Sequence, residues 1–188
     1  MNPLLVAFAT VFVAEMGDRT QLLSLVLVAR YQRPWPILCG ILAATVVNHA
    51  IAAAIGVWFG RFLSPTLLDA AVGAGMLAMA VWSLFPDKMD ETGETRRRGA
   101  FLATLTTFFV AEIGDKTQIA TVALAAGYTG AAVRIVVGTT LGMLAANTPV
   151  VLLGNTFARR LPLATLHRAA SVLFAGLGLY FIGRALML

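Results

Sequence analysis

The chain has 188 residues, 59% of them hydrophobic and only 12% charged, against about 25% charged in an ordinary soluble domain. A water-surrounded core of this size could not hide that much apolar side chain, whereas a bilayer solvates it directly, so a soluble fold is excluded. The net charge of +5 comes from basic residues set between apolar runs, which excludes a nucleic-acid surface, and the single cysteine, Cys39, excludes an intramolecular disulfide, a CxxC pair and a thiolate metal cluster.

In chain order, six apolar stretches stand at about residues 4–29, 36–58, 67–85, 101–126, 132–153 and 165–186, each long enough to cross ~30 Å of hydrocarbon as a helix. The first has no basic region ahead of it and contains Glu15 and Asp18, so it is expected to remain as a span and not to be cleaved as a signal peptide. Between the third and fourth lies the one polar linker, where Asp87, Lys88, Asp90, Glu91, Glu94 and the run Arg96–Arg98 fall together. The expected organisation is a first three-helix unit over 1–86, a cytoplasmic linker over 87–99 and a second three-helix unit over 100–188.

The two units are related. Phe12-Val-Ala-Glu-Met-Gly-Asp-Arg-Thr-Gln21 recurs as Phe109-Val-Ala-Glu-Ile-Gly-Asp-Lys-Thr-Gln118, and weaker echoes follow in step: Tyr31 with Tyr128, Gly40 with Gly138, Gly56 with Gly154, Arg61 with Arg159, Trp82 with Tyr180. A duplicated unit with an odd number of spans enters the membrane from opposite sides, so the expected fold is an all-α polytopic membrane protein of six transmembrane helices in two inverted three-helix repeats. The loops after spans one, three and five carry Arg30, Arg33, Lys88, Arg96, Arg97, Arg98, Arg159, Arg160 and Arg168, whereas the other face has Arg61, Arg134 and Arg184. This bias places the linker in the cytoplasm of a multi-pass cell (inner) membrane protein and both termini outside. Trp35, Trp58 and Trp82 near span ends fit interfacial belts or packing between helices.

Of the nine acidic residues, four lie in the linker and Asp69 near the start of the third span; the other four, Glu15, Asp18, Glu112 and Asp115, are expected inside the membrane. A carboxylate at the bilayer centre costs at least about 2.5 kcal/mol and is rarely kept without a task. Glu and Asp at i and i+3 are expected on one helix face, so two such helices meeting at the midplane would converge four carboxylates. Gly17 and Gly114 allow close approach or local unwinding, and Thr20, Gln21, Thr117 and Gln118 add neutral oxygens, a hard donor set suited to Ca²⁺, Mn²⁺ or Mg²⁺ and not to Zn²⁺ or Cu⁺. Arg19 and Lys116 stand at i+4 from the glutamates and could pair with them as packing elements. Four carboxylates against two cations leave a surplus of two negative charges, which one divalent cation or about two protons would balance, pointing to antiport. For Asn48, His49, Asn147 and Thr148, interhelical hydrogen bonding is the expected role, with a proton relay at His49 left open and His167 interfacial. Gly73, Gly75, Gly176 and Gly178 are expected at close helix contacts.

At Glu15-Met-Gly-Asp-Arg-Thr20 and Glu112-Ile-Gly-Asp-Lys-Thr117 the chain resembles the Golgi-type manganese and calcium transporter family, whose bacterial members include MneA-type manganese exporters. The family mark is a pair of Glu-φ-Gly-Asp-[Lys/Arg]-[Thr/Ser] motifs, and both copies match at every position. The resemblance implies export of Mn²⁺ or Ca²⁺ from the cytosol by exchange for protons, with no cofactor, and with Glu15, Asp18, Glu112 and Asp115 as ligands and proton acceptors. Three other readings stay open from the residues alone: an exporter of a cationic amino acid on a related six-helix fold, a cation channel, and an intramembrane lipid phosphatase, which the lack of Ser or His beside the motifs disfavours.

Overall fold

Residues 1–85, 99–128, 130–154 and 162–187 are described in the computed structural model, and every regular element among them is an α-helix. These are α1 (Pro3–Glu15), α2 (Arg19–Tyr31), α3 (Pro34–Gly60), α4 (Pro65–Trp82), α5 (Ala100–Ala111), α6 (Lys116–Gly127), α7 (Ala132–Leu153) and α8 (Leu163–Met187). Prolines open α1, α3 and α4, where a missing N–H costs nothing, and Asn2 and Ser64 cap the first and third of these by accepting from Leu4 N and Leu67 N. The polar linker expected over 87–99, with Lys88 and the run at 96–98, lies outside the described residues except for Gly99, as do Arg159 and Arg160.

Four helices, α3, α4, α7 and α8, are long and apolar enough to cross a membrane, while α1 and α5 are apolar but short. The chain is a polytopic helical membrane protein. Where the apolar pattern predicts continuous first and fourth spans, the structure has two helix pairs, α1–α2 and α5–α6, each broken inside the repeated motif. The cause is backbone sign. Gly17 and Gly114 sit at φ +86° and +74°, a region that no right-handed helix contains and that side chains strain to enter.

Packing between the halves is reciprocal. The long α7 runs beside both α1 and α2, the long α3 runs beside both α5 and α6, α3 and α7 pack on each other, and α4 pairs with α8. The echoed glycines serve this arrangement. A Cβ on Gly40 would stand 2.9 Å from Phe101 O of α5, and one on Gly138 would stand 2.5 Å from Leu4 O of α1. Gly73 and Gly178 likewise bring α4 and α8 together, each facing the other's carbonyl oxygen at 2.9 and 3.0 Å, but Gly75 and Gly176 face open space and take no part in close contacts.

Two apolar cores result. The first joins α4 (Leu68, Val72, Met76) and α8 (Phe174, Leu177, Phe181) to Ala120 and Leu124 of α6 and Ala7 and Ala14 of α1. The second joins Leu23 and Leu27 of α2, Ile37 and Ile41 of α3, Phe108 of α5 and Met143 of α7.

Candidate cation site

Each break ends one helix at a glutamate and starts the next at an aspartate: Glu15 closes α1 and Glu112 follows α5, while Asp18 and Asp115 precede α2 and α6 in extended conformation. The expected i, i+3 helical face is therefore absent, because the left-handed glycine breaks the helix between the two acids. Asp18 N and Asp115 N donate to Glu15 O and Glu112 O at 3.1 and 3.2 Å. The glutamines fasten the same turns: Gln21 Oε1 accepts from Gly17 N at 2.8 Å and Gln118 Oε1 from Gly114 N at 2.6 Å. Gln21 also donates through Nε2 to Ala146 O of α7 at 2.7 Å, tying the first break to the opposite repeat.

The threonines serve the glutamates. Thr20 Oγ1 donates to Glu15 Oε2 at 2.5 Å and Thr117 Oγ1 to Glu112 Oε2 at 3.0 Å. The other oxygens, Glu15 Oε1 and Glu112 Oε1, are buried with no hydrogen-bond partner, although both side chains are wholly shielded from solvent.

The basic residues connect the repeats, a pairing that i+4 spacing does not anticipate. Arg19 Nη2 lies 3.0 Å from Asp115 Oδ1 and donates to Ala111 O at 2.7 Å. Lys116 Nζ lies 3.4 Å from Asp18 Oδ1. The environments differ: the Arg19 side chain is 26% exposed and that of Lys116 only 3%, with the ring of Trp82 6.0 Å from the ammonium. Trp82, expected either at a membrane interface or packed between helices, packs against the site.

Of the four predicted acids, three converge: Glu15, Glu112 and Asp115 each offer an oxygen, all within 4.8 Å of one another. Asp18 stands outside this trio, beside Lys116. The flanking polar residues act largely as expected. Asn48 Nδ2 donates to Phe109 O at 3.0 Å, Ser24 Oγ donates to Asn147 Oδ1 at 2.7 Å, and Thr148 bonds within its own helix to Leu144 O. His49 is fully buried and neither ring nitrogen has a partner. Sequence reasoning passed over Ser24, whose signal was its place one turn beyond Gln21 on the same face. It also set aside Asp69, which is buried on α4 and lies 3.1 Å from Arg184 Nε of α8.

The chain is similar to known proteins along its length. The family described as divalent cation/proton antiporter GDT1 matches residues 3–91 and 100–187. A protein of Vibrio cholerae serotype O1 named "Putative manganese exporter" is 48% identical over 93% of this chain and 87% of its own length. GDT1-like protein 3 of Oryza sativa subsp. indica is 26% identical over 93% of this chain and 71% of its own, and the protein of that name in Arabidopsis thaliana is 26% identical over 90% and 67%. No solved structure matches. A transporter family and not an enzyme family accounts for the twin motifs, the apolar helices and the buried acids together: the chain belongs to the GDT1 family of divalent cation/proton antiporters.

Proposed function

We propose that this chain exports a divalent cation from the cytosol, Mn²⁺ first and Ca²⁺ next, in exchange for protons, through one midplane site that both repeats build. The observation that carries the reading is the trio of Glu15, Glu112 and Asp115 with oxygens within 4.8 Å. Three oxygens that close share a centre no more than about 2.8 Å from each, near a metal–oxygen distance of ~2.3–2.6 Å, so small side-chain adjustments let one hard cation touch all three. Glu15 Oε1 and Glu112 Oε1, buried without partners, are positions where a cation or a proton relieves the cost of desolvation. The partial positive N-termini of α2 and α6 and the partial negative C-termini of α1 and α5 meet at the breaks, supporting both the acids and the cation they hold.

Charge sets the exchange. Glu15, Asp18, Glu112 and Asp115 against Arg19 and Lys116 leave two negative charges in a buried site, which one divalent cation or two protons neutralise. Alternate loading of the two keeps each crossing near electroneutral. In this reading α1–α2 and α5–α6 each make one crossing, since about 25 helical residues at 1.5 Å per residue exceed ~30 Å of hydrocarbon. The six spans then form two inverted repeats over 1–86 and 100–188, in the cell (inner) membrane, with the 87–99 linker cytoplasmic and both termini outside.

Flux of Mn²⁺ and Ca²⁺ into proteoliposomes under an imposed pH gradient tests the proposal. Uphill, proton-driven uptake that Glu15→Gln or Glu112→Gln abolishes is the expected result. Intact flux in both variants would remove the carboxylate site, and transport of lysine in place of divalent cations would replace the substrate.

A further inference from the structure

Away from the acids, an apolar groove of about 610 Å³ runs between the C-terminal half of α3 and the first turns of α7, floored by Ala50, Ala53 and Ala54 and walled by Val133 and Val137. Trp58 and Arg61 stand at its end. Alanines leave room that bulkier side chains would fill, and in a membrane protein such a lateral groove opens onto lipid chains.

The charge at its end is what selects among lipids. Three basic residues, Arg61, Arg134 and Arg184, fall on the face where the charge bias of the chain disfavours them. Arg184 is matched by Asp69 at 3.1 Å. Arg61 and Arg134 are exposed, have no acidic partner among the described residues, and stand respectively at the end of α3 and in the first turn of α7, the two helices that form the groove. We infer that this groove is a binding site for an anionic phospholipid, with an acyl chain lying over Ala50, Ala53 and Ala54 and the phosphate held by Arg61, with Arg134 adding charge at the flank. Trp58, 55% exposed and edge-on to Phe59 and Phe62, sits at the level where an amphipathic ring borders headgroups. A guanidinium grips a phosphate with two parallel N–H donors, which a zwitterionic headgroup partly neutralises and an acidic one does not. The site is separate from the acidic trio and does not depend on which cation is carried.

Purified full-length protein in detergent, titrated with phosphatidylglycerol or phosphatidylcholine and read by native mass spectrometry and thermal unfolding, decides the matter. The expected result is retained phosphatidylglycerol adducts and a raised unfolding temperature with that lipid only. Arg61→Ala should weaken its binding about tenfold, the value of one charge-assisted contact, and Arg61→Lys should recover part of it. Ala54→Trp, which fills the groove and keeps the charge, should also displace the lipid. Equal response to both lipids, or undiminished phosphatidylglycerol binding in both Arg61→Ala and Ala54→Trp, would overturn the inference, as would a dimer that Ala54→Trp dissociates with no lipid bound.

Discussion

Asp18 and Asp115 occupy the same place in the repeated motif, yet their surroundings separate their roles. Asp115 belongs to the trio and faces Arg19, which is partly exposed, whereas Asp18 lies outside the trio against Lys116, which is not. Removing one partner of a buried pair costs about 3–5 kcal/mol because the other charge is stranded, while a pair open to solvent loses far less. Asp18→Asn should therefore lower thermal stability more than Asp115→Asn, and Asp115→Asn should raise the KM for cation flux more than Asp18→Asn. Equal effects of the two on both measurements would show that the repeats are functionally equivalent at this position. The threonines permit a finer comparison. Thr20 and Thr117 each hold one glutamate oxygen, leaving the other turned to its neighbours. Thr117→Val should raise the flux KM about five- to tenfold, from ~1–1.5 kcal/mol for a lost hydrogen bond, and Thr117→Ser, which keeps the hydroxyl, should stay near wild type.

At the scale of elements, glycines make a graded test of the packing. Gly40 and Gly138 lie where α3 meets α5 and α7 meets α1, with backbone oxygens under 3 Å from any added Cβ, whereas Gly75 and Gly176 have nothing within 4 Å. Alanine at either of the first two should destabilise by about 1–3 kcal/mol through overpacking, and at either of the last two should change stability by no more than about 0.5 kcal/mol. Thermal unfolding of the four variants in one detergent separates the classes. The same comparison marks what the sequence could disclose. Apolar length announced the membrane helices and the duplication paired Gly40 with Gly138, because both signals are written in residue type. The interruption of α1–α2 and α5–α6 was legible only in part: Gly17 and Gly114 marked places where close approach or unwinding was open, but which of the two occurs depends on the sign of φ at those glycines, which residue type does not fix. The four acids could be named from charge in an apolar setting. Which three of them converge, and that Arg19 and Lys116 reach across to the opposite repeat, depends on how the halves dock, which spacing along one helix does not encode.

The molecule as a whole is not symmetric about its breaks. The α4–α8 pair packs on α1 and α6, and its apolar residues enter the core that includes them, while the core joining α2, α3, α5 and α7 includes none of the described residues of α4 or α8. Trp82 of α4 accordingly covers Lys116, and its echo Tyr180 of α8 stacks instead beside Arg184. In a duplicated fold the repeats can exchange these environments, and we predict that the described arrangement is one of two related states, with the α4–α8 pair passing between them. Exchange then requires contacts at the α6 end to open. Tyr128, at the end of α6, meets Phe181 of α8 edge-on with centroids 5.7 Å apart, which puts the two positions within reach of a short tether. In a Cys39→Ser background, Tyr128→Cys with Phe181→Cys bridged by a short thiol cross-linker should stop proton-driven divalent flux, reduction of a cleavable linker should restore it, and Mn²⁺ binding to the bridged protein should persist. Flux that continues through the bridged form would mean that α8 and α6 stay together throughout transport, and would transfer the motion to the broken helices themselves.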